Sequence, residues 1–285
     1  MIQLRRRGVH AAMPRPFRSA RLAWRAGLVL AALFVASTIT PPALRAQQGT
    51  ETFAAGAPLK LPSNAATVPF SVGEKLEYDV KFGPVRVGNG SMEVRELQDV
   101  RGAITYHTIF RFSGGLVFFK VDDTFESWFD VVTLSSRRHY QDLNEGNYKP
   151  RRHFEIFPER GMYQLNKNDE QVSVQDPLDD GSMLYFVRTV PLEVGKTYTI
   201  PRYFRPEGNP VQITVLRREN IEVPAGKFST IVVQPTFQTK GLFSKNGRAE
   251  VWLTDDSRRM MVQMKSALSI GSINLYLKKH NTKVP

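Results

Sequence analysis

Apolar and polar residues alternate along most of the chain. In "ITYHTIFRF" Ile104, Tyr106, Thr108, Phe110 and Phe112 fall on one face, with Thr105, His107, Ile109 and Arg111 on the other. "FKVDDTFESWF" sets Phe119, Val121, Phe125 and Phe129 together in the same way. Successive side chains of a strand point to opposite faces, so a period of two marks half-buried β-strands. Comparable patterns cover 74–82, 85–97, 133–143, 148–157, 196–204, 210–223, 227–238, 248–254 and 260–278, and Gly83-Pro84, Glu145-Gly146, Pro224-Ala225-Gly226 and Asn246-Gly247 supply turns between many of them. Strands at this spacing predict a mainly β, antiparallel, barrel-like architecture. One stretch breaks the period. In "DPLDDGSMLYFVRTV", Asp179 or Asp180 can cap a short connecting helix near 179–189, with Met183, Leu184 and Val187 on one side.

The pattern also returns. "VPFSVGEKLEY" at 68–78 is echoed by "VPLEVGKTYTI" at 190–200, so that Val68, Pro69, Val72 and Gly73 match Val190, Pro191, Val194 and Gly195. "GGLVFFK" resembles "KGLFSK", "ESWFD" resembles "EVWLTD", and "SSRRH" resembles "DSRRM", all at nearly the same offset. Ordered echoes predict two similar β halves, 68–180 and 181–285, that form either two small barrels or one compact unit. Each half opens with a Pro that cannot donate to a ladder and a Gly that permits a tight turn.

Residues 1–46 read differently. They hold eight Arg, no Lys and no acid, then the apolar run "GLVLAALFVASTIT" and "PPALRAQQ". That order predicts a signal peptide cleaved after Ala46, and the run falls short of the roughly 20 residues of a membrane-spanning helix. The leader changes the charge argument. The chain carries 39 Lys and Arg against 27 Asp and Glu; without the leader the balance is 39 − 8 = 31 against 27, close to neutral. Nucleic acid is thereby excluded as an expected partner, since its basic footprint would have to lie on the folded body. With no Cys there is no disulfide, no thiolate metal site and no Cys for lipid attachment. The expected location is therefore periplasmic or secreted, with no transmembrane anchor after cleavage. Residues 47–67, rich in Ala, Gly, Pro, Ser and Thr, read as a flexible leader.

The run "VGEKLEYDVKFGPVRVGNGSMEV", the strand "DTFESWFD", the hairpin "TLSSRRHYQDLNEGNYKPRRHFEIF", the helix "DPLDDGSMLYFVR" and "IEVPAGKFSTIVVQP" followed by "AEVWLTDDSRRMMVQM" together resemble domain-of-unknown-function family 3108, over about residues 70 to 280. The resemblance implies an exported bacterial protein with a β-rich, barrel-like body. It supplies no catalytic residues.

Candidate chemistry must then come from the residues. If Glu145-Gly146 is the turn of the 133–157 hairpin, Arg138 faces His153 and Tyr140 faces Arg151, while Arg137, His139, Arg152 and Phe154 share the other side. Like charges set opposite each other invite an anion, or are balanced by Asp142, Glu145 and Glu155. Asp122, Asp123, Glu126 and Asp130 lack the pairing that acid–base work requires, because three of them share an exposed face. His139 and His153 are the one histidine pair to test for a metal, and no cofactor is expected. Met260 and Met264 on "MMVQM" fill a core or line a cavity, and Phe118, Phe119, Leu242 and Phe243 sit beside flexible glycines. The leading expectation is a non-enzymatic binding or carrier protein for an anionic lipid or other amphiphile of the envelope, with candidate contacts Arg138, Tyr140, Arg151, His153, Phe118, Phe119, Met260 and Met264. The alternatives are a protein–protein interaction scaffold in envelope biogenesis and, more weakly, a hydrolase of envelope polysaccharide or lipid.

Overall fold

The computed structural model describes residues 59–116, 119–238, 249–266 and 272–282. They form β1 (Lys75–Phe82), β2 (Val85–Val100), β3 (Ala103–Leu116), β4 (Phe119–Asp130), β5 (Ser136–Asp142), β6 (Arg151–Phe157), β7 (Met162–Leu165) and β8 (Gln171–Val172), then helix α1 (Asp180–Phe186). After it come β9 (Thr197–Ile200), β10 (Val211–Val223), β11 (Gly226–Thr236), β12 (Glu250–Thr254), β13 (Met261–Lys265) and β14 (Ile273–His280). The architecture is the mainly β, antiparallel one that the alternation predicts. β7 and β8 were not foreseen, since four and two residues are too few to show a period. The apolar stretch 260–278 divides into β13 and β14.

The strands of the described residues form one sheet in the order β8-β7-β6-β5-β4-β3-β2-β1-β14-β13-β12-β11-β10-β9. Each half is a meander of consecutive antiparallel neighbours, and the two join where the first strand pairs with the last, from Leu76 opposite His280 to Phe82 opposite Ile273. β8 and β9 are the edges. Among the described residues no ladder closes them. Instead one parallel bridge links Leu178 to Tyr203, with the Leu178 N–H donating to the Arg202 carbonyl at 2.5 Å and the Phe204 N–H to the Leu178 carbonyl at 2.9 Å.

The opening echo corresponds to repeated geometry. Gly73 and Gly195 take φ of 89° and 86°, in the left-handed region that favours glycine. Gly73 N–H donates to Val94 O (2.7 Å) while Val94 N–H donates to Glu74 O (2.9 Å); Gly195, Val215 and Lys196 repeat the exchange at 2.9 and 2.9 Å. β-Bulges recur at Val94/Glu96 and Val215/Arg217, and again at Trp128/Phe129 and Trp252/Leu253. Trp128 donates to Gln98 at 2.7 Å, and Trp252 to Glu219 at 2.5 Å. β1–β6 thus follow the same plan as β9–β14. The "SSRRH"/"DSRRM" echo does not belong to it, because Ser136–Arg138 lie in β5 whereas 257–259 lie in the turn before β13. The "KGLFSK" half of another echo lies outside the described residues.

In this plan β14–β1 and β6–β9 are equivalent seams. The first is a ladder with one bulge, between Glu77 and Tyr78; the second is interrupted by 158–189, which inserts β7, β8 and α1. Inward side chains fill the curled sheet, among them Leu76, Tyr78 and Val80 of β1, Ile213 and Val215 of β10, Val233 of β11 and Leu275 and Leu277 of β14, all essentially buried. Each such burial contributes ~1.5–3 kcal/mol, so this core carries most of the driving force for folding.

Candidate functional site

The inner wall of the first half is not uniformly apolar. On β4 the odd-numbered residues point inward, bringing Asp123 and Ser127 inside, and on β5 and β6 the inward set is His139, Gln141, Arg152 and Phe154. These polar groups collect beneath the insert at the interrupted seam. The insert places Asp179 there because it is the N-cap of α1: its Oδ1 accepts from the backbone N–H of Gly181 (2.8 Å) and Ser182 (3.0 Å), while Ser182 Oγ accepts from Asp179 N–H at 2.9 Å. The sequence-predicted cap and helix are therefore as expected, with a 3-10 turn extending the helix to Thr189.

His139, fully buried, is the centre of the cluster. Its Nδ1–H donates to the Glu126 carbonyl at 2.8 Å and lies 3.6 Å from Asp179 Oδ1; its Nε2 is 3.0 Å from Gln141 Nε2 and 3.4 Å from Asp180 Oδ2. Gln141 is oriented by Arg152, whose Nη1 donates to Oε1 at 3.2 Å, so its Nε2 is the donor. Asp180 Oδ1 accepts from the Tyr203 hydroxyl at 2.9 Å, and Tyr203 accepts from Arg205 at 2.9 Å. Burial disfavours a charged imidazole, but Asp179 and Asp180 outweigh it and raise the His139 pKa.

A second pair lies on the same wall. Asp123 and Glu145 are buried and hydrogen-bonded to each other, and Asn144 N–H donates to Asp123 at 2.9 Å. Burial, then the neighbouring Asp123 carboxyl, pushes Glu145 up to about 8, and burial likewise raises Asp123, so the pair holds one proton between them. Arg152 completes this group, donating to Tyr148 OH at 2.6 Å.

Ser127, His139 and Asp179 together invite comparison with a catalytic triad. The hydrogen bonds run otherwise. The Ser127 hydroxyl gives its proton to Asp179 Oδ1 at 2.6 Å, and the His139 Nδ1 that approaches Ser127 at 3.3 Å gives its own to the Glu126 carbonyl. The imidazole nitrogen facing the serine thus carries a proton and cannot act on it as a base. All three residues are buried. The cluster is a hydrogen-bonded, charge-bearing joint.

The sequence-chosen residues are divided among three places. Arg138, Tyr140, Arg151 and His153 do share one face of the β5–β6 hairpin, and it is the outward one. Their pairing differs by two residues from the expected register: Tyr140 faces His153, Arg138 faces Glu155 and Asp142 faces Arg151. The turn is centred on Gly146-Asn147, with Gly146 at φ 57°, one residue later than Glu145-Gly146. Every cation then meets an acid, Arg138 with Glu155 at 2.7 Å, His153 with Glu155 at 3.0 Å and Arg151 with Asp142 at 3.1 Å. Burial would raise Glu155, but His153, Arg138 and Arg101 around it hold it at about 2. Arg137 leaves the inner face at the β5 bulge and pairs with Asp130 (3.2 Å) and Glu159 (2.6 Å). His139 points inward and His153 outward, so they cannot share a metal ion, and no cluster of three metal-ligating side chains occurs among the described residues. Met260 and Met264 are buried in the second half. Phe119 opens β4 opposite Leu116; Phe118, Leu242 and Phe243 lie outside the described residues. Asp179, Asp180, Tyr203 and Arg205 carried no sequence signal as a cluster, apart from the cap itself.

The model of a family described as "Protein of unknown function (DUF3108)" matches residues 77–278. No curated protein matches the chain. Among solved structures, a β-barrel-like protein of domain of unknown function DUF1849 from Brucella abortus is 11% identical, with a TM-score of 0.49, over 75% of this chain and 99% of that one. A candidate exported protein with a YmcC-like fold from Bacteroides fragilis is also 11% identical, with a TM-score of 0.35 over 76% and 99%. A candidate lipoprotein from Parabacteroides distasonis is 12% identical, with a TM-score of 0.34 over 75% and 99%.

Proposed function

Because the chain belongs to the family of proteins of unknown function DUF3108, which assigns it no chemistry, we propose from its interior that it is a non-enzymatic, exported binding or carrier protein for an amphiphilic, lipid-like component of the cell envelope. The observation that carries this reading is the contrast between two walls built on one strand plan. Where β4 and β5 place Ser127 opposite His139, β12 and β13 place Val251 opposite Met264. The second half thus turns aliphatic and thioether side chains inward, chemistry suited to acyl chains, and the first half turns hydrogen-bonding and charged groups inward, chemistry suited to a polar head. A signal-like leader of basic, apolar and small residues supports export to the periplasm. The polar end is assigned to the interior cluster. Arg138 and Arg151 face outward and already have acids.

Mass spectrometry of organic extracts from protein purified out of its native envelope tests the proposal. One class of amphiphile is expected in stoichiometric amount, and a fluorescent fatty acid should compete with it. An empty extract together with no uptake of the fluorescent fatty acid would refute carriage and favour the scaffold reading. Replacing Arg138 and Arg151 together by Gln should leave uptake intact; loss of uptake would move the headgroup site to the outer hairpin.

A further inference from the structure

We propose that residues 173–189, which carry α1, form a proton-controlled door in the interrupted seam, closed while His139 is charged and loosened when it becomes neutral. The inference does not depend on the identity of any cargo.

Pseudo-symmetry identifies the weak seam. β14 and β1 are held by paired residues from Leu76 to Phe82 with one bulge between Glu77 and Tyr78, whereas at the equivalent β6–β9 boundary the described residues show one bridge, from Leu178 of the insert to Tyr203. Around that bridge the insert is fastened by Ser173 Oγ donating to Phe204 O (2.7 Å), by Ser136 N–H donating to Pro177 O (2.6 Å), by Ser136 Oγ bonded to Asp179 N–H (2.9 Å) and Ser182 Oγ (2.7 Å), by Arg202 Nε donating to Asp176 O (2.6 Å), by the buried Leu178, Met183 and Tyr185 side chains and by the His139 cluster. Its hinge side is firmer, because Arg188 is bound to Glu74.

Every element against His139 contributes to the control. β4 supplies the Glu126 carbonyl and Ser127; β5 supplies Gln141; β6 supplies Phe154, stacked at 5.8 Å, and Arg152 acting through Gln141. The insert supplies Asp179 and Asp180, and the 203–205 segment supplies Tyr203 and Arg205 acting through Asp180. With His139 charged, two cations, His139 and Arg205, meet two carboxylates, Asp179 and Asp180. Without that proton a buried negative charge is left over, and Asp179 Oδ2 already has no hydrogen-bond partner among the described residues. An unbalanced buried charge is costly unless it reaches water, and both carboxylates reach it by leaving with the insert.

The geometry accommodates both protonation states. A neutral imidazole accepts from Gln141 Nε2 at 3.0 Å; a charged one donates to Asp180 Oδ2 at 3.4 Å, and Gln141 Nε2 then turns to the same carboxylate, also at 3.4 Å. Since the folded His139 pKa lies above its ordinary value of 6.5, protonation favours the closed door. That stabilisation is complete below the unfolded value and is lost as pH rises through the folded one.

Hydrogen exchange read by mass spectrometry between about pH 6 and pH 9, corrected for intrinsic rates, tests the proposal on the unliganded full chain. Peptides covering 180–189 should lose protection across this window, while peptides covering β14 and β1 do not. Asp180→Asn removes the charge that the proton balances and should shrink this loss. His139→Met, which installs the residue found at position 264, should abolish it; if that variant does not fold, Asp180→Asn decides. Protection at 180–189 that is flat with pH, a loss shared equally by β1 and β14, or an undiminished loss in Asp180→Asn would each overturn the door.

Discussion

Arg188 holds three parts of the molecule together, and its removal has a magnitude that follows from its surroundings. Nη1 and Nη2 bind the Glu74 carboxylate at 2.6 and 2.9 Å, and Nη2 also donates to Pro69 O (3.1 Å) and Arg258 O (2.8 Å). The end of the insert is thereby tied to the opening motif of the first half and to the β12–β13 turn of the second. The two side chains are only 1% and 5% exposed, so water cannot replace the lost partner. Arg188→Met keeps an apolar stem but removes the guanidinium, whose Cζ lies 5.2 Å from the Phe70 ring and 5.6 Å from the Tyr185 ring, and leaves the Glu74 carboxylate buried and alone. Breaking such a pair costs about 3–5 kcal/mol, a large share of the ~5–15 kcal/mol that stabilises a typical domain. Urea denaturation should show a lower midpoint with an unchanged slope. Arg188→Met combined with Glu74→Met should recover a substantial part of the loss, because removing both charges leaves neither stranded. As a control, Arg86→Met breaks the Arg86–Asp79 pair, whose arginine is half exposed, and should cost no more than ~1 kcal/mol. A loss below ~1 kcal/mol for Arg188→Met, or a double variant as unstable as the sum of the singles, would refute the reasoning.

Two further tests address other parts of the fold. The Glu145 carboxyl is raised from 4.5 to about 8, so the folded state binds its proton more tightly than the unfolded chain and stability falls as pH rises through that window, by up to ~5 kcal/mol if the whole difference is expressed. Glu145→Gln, a neutral stand-in for the protonated acid, should flatten the pH dependence of Tm above about pH 5 and raise Tm at alkaline pH; an unchanged slope would exclude the shared proton. Gly73→Ala and Gly195→Ala meet no steric neighbour, yet both force an L side chain into a left-handed backbone at about 1–2 kcal/mol. Because the two turns repeat one another, thermal or urea unfolding should give matched losses, and a large effect at only one glycine would argue against equivalent halves.

Much of the architecture is written in local sequence. Alternation in "ITYHTIFRF" and "FKVDDTFESWF" identifies β3 and β4, Asp179 caps α1, and Gly73 with Gly195 marks equivalent turns. Such signals survive because each depends on residues adjacent in the chain. Cross-strand partners do not. The β5–β6 register slid by two residues when the turn fell on Gly146-Asn147; a shift of two preserves every side chain's face, so the hydrophobic pattern could not detect it. The faces of Arg138, Tyr140, Arg151 and His153 were therefore legible, but their acidic partners were not.

The buried joint was hidden for a related reason. His139 meets Asp179 and Asp180 some forty residues onward, Asp180 in turn meets Tyr203 farther still, and the interrupted seam brings them together. By itself the sequence determined pleated halves, a capped helix and a repeated plan, because periodicity and turn chemistry act over a few bonds. Tertiary structure alone decided that the first strand lies beside the last and that polar groups from distant segments share one low-dielectric space. Those outcomes rest on which surfaces meet, and on charges whose cost is set by burial.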